Sequence, residues 1–431
     1  GLYPPSPCAV GNRKYLTEEE LSAGRHGATQ PEPDGPSAPS GAAGVDHGVD
    51  RTASVVKGAP CEVAADRIRE DAATSGIPEA ELQRIVAEPY EHSLLFEMDA
   101  GCRRHLEAIL PERLDRLEPA QRSAVMAMLS RNGRYDVGKF LAKGAESILY
   151  HAQAQGYSFC VKAVRNWLDA WIGRSATRGN QGKLAGVSYN TKVRHITNEY
   201  NIGCLLNERN PFTQCPVRIL SLRRVRRFGL ELGWDLLMER INGIDLGDRA
   251  LLHSMTLHDK LKVCMQICRA IGGLHQRRLV HLDIKPSNFM LERGGRVRLI
   301  DFGISVPAGF RSKTIAGTAG FFSPEQVCRG VLNEDTDIFA LGVTFAIIFG
   351  GKMLMQNADD VLKKGNRKTA ASAMDTCDMP AVTDIPELTA HKEIADVIRN
   401  CTIYKRSVRI SSCLVLAARL KAAAAKSGFE L

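Results

Sequence analysis

The chain holds 431 residues with a formal net charge of +9, and it is 44% hydrophobic and 24% charged. It exceeds one average domain, carries no run of about 18 apolar residues and hence no membrane span, and shows no repeating period. Its 12 cysteines are scattered and lack paired Cys-x-x-Cys spacing, which excludes a disulfide framework and a paired-cysteine metal site. Acidic residues predominate over the first 135 positions and basic residues beyond them. Such a basic body favours acidic substrates or an anionic membrane surface through long-range attraction. No stacking-aromatic or groove-reading motif supports nucleic acid as a partner.

Residues 1–60 are dominated by Gly, Pro, Ala, Ser and Asp, and disorder is expected there because little apolar area can offset the entropy of ordering. From Cys61 to Arg134 the pattern turns helical. One run starts at Ile77-Pro78-Glu79 with Leu82, Ile85 and Val86 on a face; another starts at Leu117-Glu118-Pro119-Ala120 with Val125, Met126 and Leu129.

Past residue 136, Leu141-Ala142-Lys143-Gly144-Ala145-Glu146-Ser147 leads to Tyr157-Ser158-Phe159-Cys160-Val161-Lys162, a strand ending in lysine. Glu199 lies in a helical setting that includes His195. Leu236-Leu237-Met238-Glu239 is an apolar strand that runs through Ile241 into a glycine-containing turn at Gly243, followed by Asp245. Cys264 and Cys268 share a helical face and read as small buried apolar residues. Then comes the most specific stretch, His281-Leu282-Asp283-Ile284-Lys285-Pro286-Ser287-Asn288, with Asp301-Phe302-Gly303 downstream.

Phosphoryl transfer from ATP needs an acceptor for the proton of the substrate hydroxyl, and oxygen-bearing side chains to hold Mg²⁺ against the phosphates. Asp283 suits the first task; Asn288 and Asp301 suit the second. Lys285 would sit over the transferring group and offset its charge. In this order and spacing the motifs resemble the catalytic and metal-binding loops of eukaryotic protein kinases. The resemblance implies an α+β, bilobal fold over residues 136–425, with a small β-rich lobe (136–240) and a large helical lobe (241–425). Residues 61–135 would be a helical extension packed on the small lobe. It also implies that Lys162 pairs the α- and β-phosphates and is oriented by Glu199. Met238 would be the gatekeeper, the backbones of Glu239 and Ile241 would meet the adenine edge, and Asp245 would face the ribose. Cys160 and Met290 would sandwich the ring, with Ala142 and Gly144 near the phosphates. Ser323-Pro324-Glu325 resembles A-P-E, Asp337 and Gly342 match D-x-x-x-x-G, and Arg409 would pair with Glu325; these are structural.

Three features depart from the family. The glycine positions of the phosphate-covering loop read Ala142, Gly144 and Ser147, and Glu146 adds negative charge where a triphosphate would lie. The nucleotide is then held chiefly by Lys162, the metals and the hinge, or it is not held at all. Leu282 replaces the arginine that normally pairs with a phosphorylated activation loop, so the loop is expected to be ordered without phosphorylation. A long Arg-, Lys-, Gly- and Ser-rich insertion separates Lys162 from Glu199 and reads as a surface loop.

With these departures the chain resembles the rhoptry kinases of coccidian parasites, and among them the With-No-Gly-loop branch. That likeness implies a secreted serine/threonine protein kinase, using ATP and Mg²⁺, located in the parasitophorous vacuole or in a secretory organelle (rhoptry or dense granule). Its substrates would be dense granule proteins, acidic or membrane-associated, with peripheral membrane contact at most. The rivals are a pseudokinase scaffold, favoured by Ala142, Glu146 and Ser147, and a small-molecule or lipid-headgroup kinase, opposed by the peptide-shaped Thr318–Glu325 segment.

Overall fold

The computed structural model describes residues 15–16, 60–87, 98–131, 133–144, 146–171, 187–207, 215–312, 314–352, 378 and 380–431. Within the N-terminal segment expected to be disordered, Tyr15–Leu16 (β1) pairs antiparallel with Val225 and Arg224; residues 1–14 and 17–59 lie outside the described residues. Helices α1 (Pro60–Ser75), α2 (Glu79–Ala87), α3 (Ala100–Ile109) and α4 (Pro119–Ser130) follow. Proline in the first turn of α4 loses nothing, because its missing N–H would have been unpaired there.

Next come β2 (Asp136–Lys143), β3 (Ile148–Ala154), β4 (Tyr157–Arg165), the short α5 (Trp167–Trp171), α6 (Tyr189–Asn207), β5 (Ile219–Arg227) and β6 (Leu230–Glu239). With β1 they make a six-stranded sheet in the order β1-β5-β6-β4-β3-β2. Most of the insertion between Lys162 and Glu199 lies outside the described residues.

The side-chain period of two divides this sheet. Phe159 and Val161 of β4, with Leu220 and Leu237, pack under Val125, Met126 and Leu129 of α4. Cys160 and Val164, on the opposite face, join the main core with Ile196 and Ile202 of α6. The fully buried Arg223 of β5 ties the two layers together. It donates to the carbonyls of Leu129 and Gly133 and lies over the Tyr135 ring at 5.0 Å.

The large lobe begins with β7 (Gly243–Asp245), α7 (Arg249–Ser254) and α8 (Leu257–His275), then β8 (Leu279–Val280), β9 (Phe289–Glu292) and β10 (Val297–Leu299). Short strands β11 (Val306–Pro307) and β12 (Phe310–Arg311), helix α9 (Pro324–Val327) and strand β13 (Val331–Leu332) lead to α10 (Glu334–Ile348), α11 (Lys392–Cys401) and α12 (Cys413–Lys426). Helix α10 is apolar nearly all round because neighbours cover every face. Gly342 lets α11 approach it: a Cβ there would lie 2.6 Å from both Cys401 and Thr402 side chains. Cys264 and Cys268 are buried in α8, and burial pushes both thiols well up.

The N-terminal helices do not share one partner, contrary to the expectation of an extension packed on the small lobe. Only α4 lies on the sheet. Helices α1 and α2 pack on α12 of the large lobe, and α3 packs on α7. The reason is polar as well as apolar. Asp71 of α1 accepts from Ser412 Oγ at 2.7 Å, Arg67 pairs with Glu334 at 2.6 Å, and Asp259 accepts from the Asp99 amide at 2.9 Å. An apolar face shows that a helix must be covered, but not by what.

Arg409 is wholly buried and holds Glu325 through two contacts of 2.8 and 3.3 Å, while also donating to the carbonyls of Ile403, Tyr404 and Asp335. Removing it leaves a buried carboxylate without a counter-charge. Arg409→Ala is expected to cost about 3–5 kcal/mol, read as a large drop in the urea midpoint; a change below about 1 kcal/mol would show that the pair is not what joins these segments.

Candidate active site

The segment from His281 to Asn288 sits between β8 and β9, and a buried carboxylate from α10 shapes it. Asp337 accepts from the amides of His281 at 2.7 Å and Leu282 at 3.0 Å, and from His275 Nε2 at 2.9 Å. These bonds hold Leu282 at φ +68°, where a non-glycine residue rarely rests. The Asp283 amide donates to His281 Nδ1 at 3.2 Å, which makes that nitrogen the acceptor and the ring neutral. Burial also drives the His281 imidazole toward the uncharged form.

Asp283 then faces the cleft with its carboxylate shared among three partners, Lys285, Thr318 and Asn288, whose Nδ2 donates to Oδ2 at 3.2 Å. Lys285 Nζ bonds Oδ2 at 2.8 Å, Thr318 Oγ1 donates to Oδ1 at 2.6 Å, and Lys285 closes the triangle onto Thr318 at 2.7 Å. Asn288 Nδ2 donates to the Asp283 carbonyl at 2.7 Å, and the Asn288 carbonyl accepts from the Ile300 amide at 2.9 Å. Asn288 is thereby tied to both Asp283 and the strand that leads to Asp301.

From the sheet, Lys162 reaches Glu199 of α6 at 2.7 Å and Asp301 at 3.0 Å. Burial alone would raise the Asp301 carboxyl, but the Lys162 ammonium and the Gly303 amide hold it down to about 2. Burial pushes the Glu199 carboxyl up despite Lys162. Burial would lower the Lys162 ammonium, yet Asp301 and Glu199 together raise it. Glu199 is shut from water, whereas the Asp301 side chain is 45% exposed to the cleft.

The expected adenine contacts fall on facing walls. Met238 and Cys160 are buried cross-strand neighbours, and burial raises the Cys160 thiol to about 11. Met290 pairs with Asp245 in the β7–β9 ladder on the opposite lobe. Ile241 lies in the connection between β6 and β7 and packs against the core. The Glu239 side chain turns away to Arg298, and its amide donates to the Arg218 carbonyl at 2.9 Å. The Asp245 carboxylate accepts from the Gly247 amide at 2.9 Å, so one of its oxygens is used within its own turn.

The loop between β2 and β3 differs from expectation in one respect. Glu146 does not lie loose over the cleft: its carboxylate accepts from His195 Nδ1 of α6 at 2.6 Å. Ala142 and Gly144 are exposed, and the Gly144 amide donates to the Ser147 carbonyl at 2.9 Å to close the turn. Sequence reading missed the Glu146–His195 contact, the His275–Asp337 bond and the Tyr135–Asp235–Arg165 cluster behind β6. Such partners are far apart in sequence, and no local pattern marks them.

The oxygen donors at Asn288 and Asp301 fit a hard divalent cation such as Mg²⁺, which takes one or two protein carboxylate or carbonyl ligands and completes its shell from phosphates and water. Among the described residues no group of three or more His, Cys, Asp and Glu is set to hold a metal unaided.

Residues 231–420 match the family described as protein kinase domain. That segment, somewhat under half of the chain, is similar to a protein kinase domain. The α+β architecture agrees with that similarity. The serine/threonine-protein kinase PrkC of Bacillus subtilis is 32% identical over 124 residues, covering 27% of this chain and 19% of the relative. An Aurora kinase of Candida glabrata is 30% identical over 149 residues, 34% of this chain and 38% of the relative. Myosin light chain kinase 2 of Oryctolagus cuniculus is 29% identical over 188 residues, 42% and 30% respectively. The matches therefore span less than two fifths of these relatives. The kinase-domain match begins inside β6, so the small-lobe residues Lys162 and Glu199 lie upstream of it.

Proposed function

We propose that the protein is an ATP-dependent serine/threonine protein kinase. The observation that carries this reading is the pre-assembled constellation of Lys162 with Glu199 and Asp301 on one side of the cleft, and Asp283 with Lys285, Thr318 and Asn288 on the other. In this reading the Asp283 carboxylate, already steered by three hydrogen bonds, takes the proton from the substrate hydroxyl as its oxygen bonds to the γ-phosphorus and the bond from that phosphorus to the bridging oxygen breaks, with ADP as the leaving group. Lys285 offsets charge on the transferring group. Lys162, oriented by Glu199, holds the α- and β-phosphates, and Met238, Cys160 and Met290 enclose the adenine. Mg²⁺ bound with ATP at Asn288 and Asp301 would neutralise phosphate charge. The net charge of +9 supports acidic or membrane-associated proteins as substrates. Among the described residues no helix is long and apolar enough to cross a membrane.

Activity without activation-loop phosphorylation is part of the proposal. Leu282 is buried with Val280 and Leu332 against Ile304, Val306 and Ala308, so apolar packing occupies the place of a phosphate-binding arginine. The loop is also pinned by the β8–β11 and β12–β13 pairings, and by Gln326 Nε2 donating to the carbonyls of Leu282 and Ala316. Leu282 and the glycine-poor loop support a place in the With-No-Gly-loop branch of the rhoptry kinases. From that place follows a secreted role in the parasitophorous vacuole or in a rhoptry or dense granule, acting on dense granule proteins. Ala142 and Ser147 favour the rival scaffold reading, and one assay separates the two.

In a radiolabelled ATP assay on generic acceptor proteins, wild type is expected to transfer phosphate, and Asp283→Ala to lose at least about a hundredfold in kcat with its fold and nucleotide binding kept. Equal signals from both would replace the enzyme with the scaffold. Phosphatase-treated protein, verified as dephosphorylated by mass spectrometry, should keep its rate; a tenfold fall would refute regulation-free ordering of the loop. Gly144 has no left-handed φ, and a Cβ on it would meet Ser147 oxygens at an ordinary 3.6 and 3.9 Å. Gly144→Ala should therefore shift KM for ATP by less than about threefold, whereas Lys162→Met, losing a buried charged contact worth roughly 1.5–3 kcal/mol, should be severe. Equal losses would show a phosphate-gripping loop after all.

A further inference from the structure

We infer that His195 is a positioning residue of the phosphotransfer site, one that latches the β2–β3 loop onto α6 and thereby holds Glu199 against Lys162. The inference rests on the kinase reading above.

His195 precedes Glu199 by one helical turn, so the two side chains project from one side of α6. Its Nδ1–H donates to Glu146 Oε2 at 2.6 Å, and both side chains are largely screened from solvent. The loop that presents Glu146 is itself closed, with the Gly144 amide on the Ser147 carbonyl and Ser147 buried. On its other side His195 abuts the Asp301-Phe302-Gly303 turn: a Cβ on Gly303 would lie 3.4 Å from the His195 carbonyl oxygen. Asn198, on the same helix, donates to the carbonyls of Gly303 at 3.1 Å and Ser305 at 2.9 Å. His195 thus stands where the loop, α6 and the Asp301 turn converge.

The apolar side of α6, with Ile196, Ile202 and Leu206, fixes its depth but resists sliding and rotation only weakly, because dispersion contacts have no strong direction. A charge-assisted hydrogen bond has direction. The loop that cradles phosphates in other kinases here directs its charge at the helix that orients Lys162. This gives Glu146 the opposite sign from a simple electrostatic reading. If its charge repelled the triphosphate, removing it would improve ATP binding. As half of a latch, removing it must weaken ATP binding.

The test is steady-state kinetics on the full chain for Glu146→Ala, His195→Ala, the double variant and His195→Asn. Each single alanine variant is expected to raise KM for ATP about three- to tenfold, the weight of one partly screened charge-assisted hydrogen bond, with KM for the protein acceptor unchanged. The double variant should be no worse than the worse single. His195→Asn should recover most of the loss, since its side-chain N–H falls near the missing Nδ1. A merely misfolded fraction lowers kcat and moves neither KM. A lower or unchanged KM for ATP in Glu146→Ala, or single effects that multiply in the double variant, overturns the latch. Should wild type transfer no phosphate, the kinase reading fails by itself and hydrogen exchange judges the latch. Faster exchange of the amides around His195 and Glu199 in Glu146→Ala upholds it, and unchanged exchange sinks it.

Discussion

The Asp337 carboxylate, fully buried at the start of α10, organises everything the cleft can do. Its two oxygens accept three hydrogen bonds, from the His281 and Leu282 amides and from the His275 ring. A buried carboxylate is costly unless its lone pairs are filled. Here filling them forces the chain through Leu282 in a left-handed conformation that would otherwise cost on the order of 1–3 kcal/mol. Asp283 is then presented with its own carbonyl and carboxylate available to Asn288, Lys285 and Thr318. The left-handed Asp301 is the matching strained point in the turn after β10, held by Lys162 and the Gly303 amide. One left-handed residue, Asp301, opens onto the cleft, and the other, Leu282, is buried directly before Asp283, so the unusual backbone sits where it sets the two carboxylates.

The small lobe meets a different demand. A loop with Ala142 and Ser147 at two of its glycine positions cannot offer bare backbone along its whole length. The sheet that carries it is stiffened from outside by α4, whose apolar residues cover Phe159 and Val161 and whose last turn is tied down by Arg223. The remaining N-terminal helices brace the large lobe, where Arg67 pairs with Glu334, only a turn from Asp337. The extension therefore supports the two halves of the cleft separately.

What was legible in the sequence was what short spacing encodes. Asp283, Lys285 and Asn288 are neighbours along the chain, and their mutual contacts follow from one loop conformation. Lys162 on an apolar strand, which continues to Arg165 rather than ending at the lysine, and Glu199 on a helix were readable because a strand and a helix each present a defined face. The pairing of Arg409 with Glu325 came from motif resemblance, and the geometry places them together. The partners of Glu146 and Glu239, and the destinations of α1–α3, were not readable. Each depends on which surface arrives opposite in three dimensions: His195 for Glu146, Arg298 for Glu239, and Ser412 with Glu334 for α1. Charge in a sequence gives no direction, and Glu146 was read as facing the cleft only because no partner was in view.

The charges of the cleft also bear on whether it is more than a scaffold. Lys162 is shared between Glu199 and Asp301, and Lys285 answers Asp283, which leaves one carboxylate in excess over the ammonium groups. Leaving a partly buried negative charge unanswered is unfavourable for a fold that has no use for it, and apolar replacement of buried ion groups is often neutral or stabilising. A divalent cation arriving with a polyphosphate would answer both the excess carboxylate and the phosphates, joining two groups that repel each other without it. Asp301 is the carboxylate that opens onto the cleft, and it stays ionised because Lys162 holds its pKa down. An ionised, accessible Asp301 oxygen would give such a cation a ligand at any ordinary pH, so a carboxylate that adds nothing to a scaffold's stability has a use in the proposed kinase.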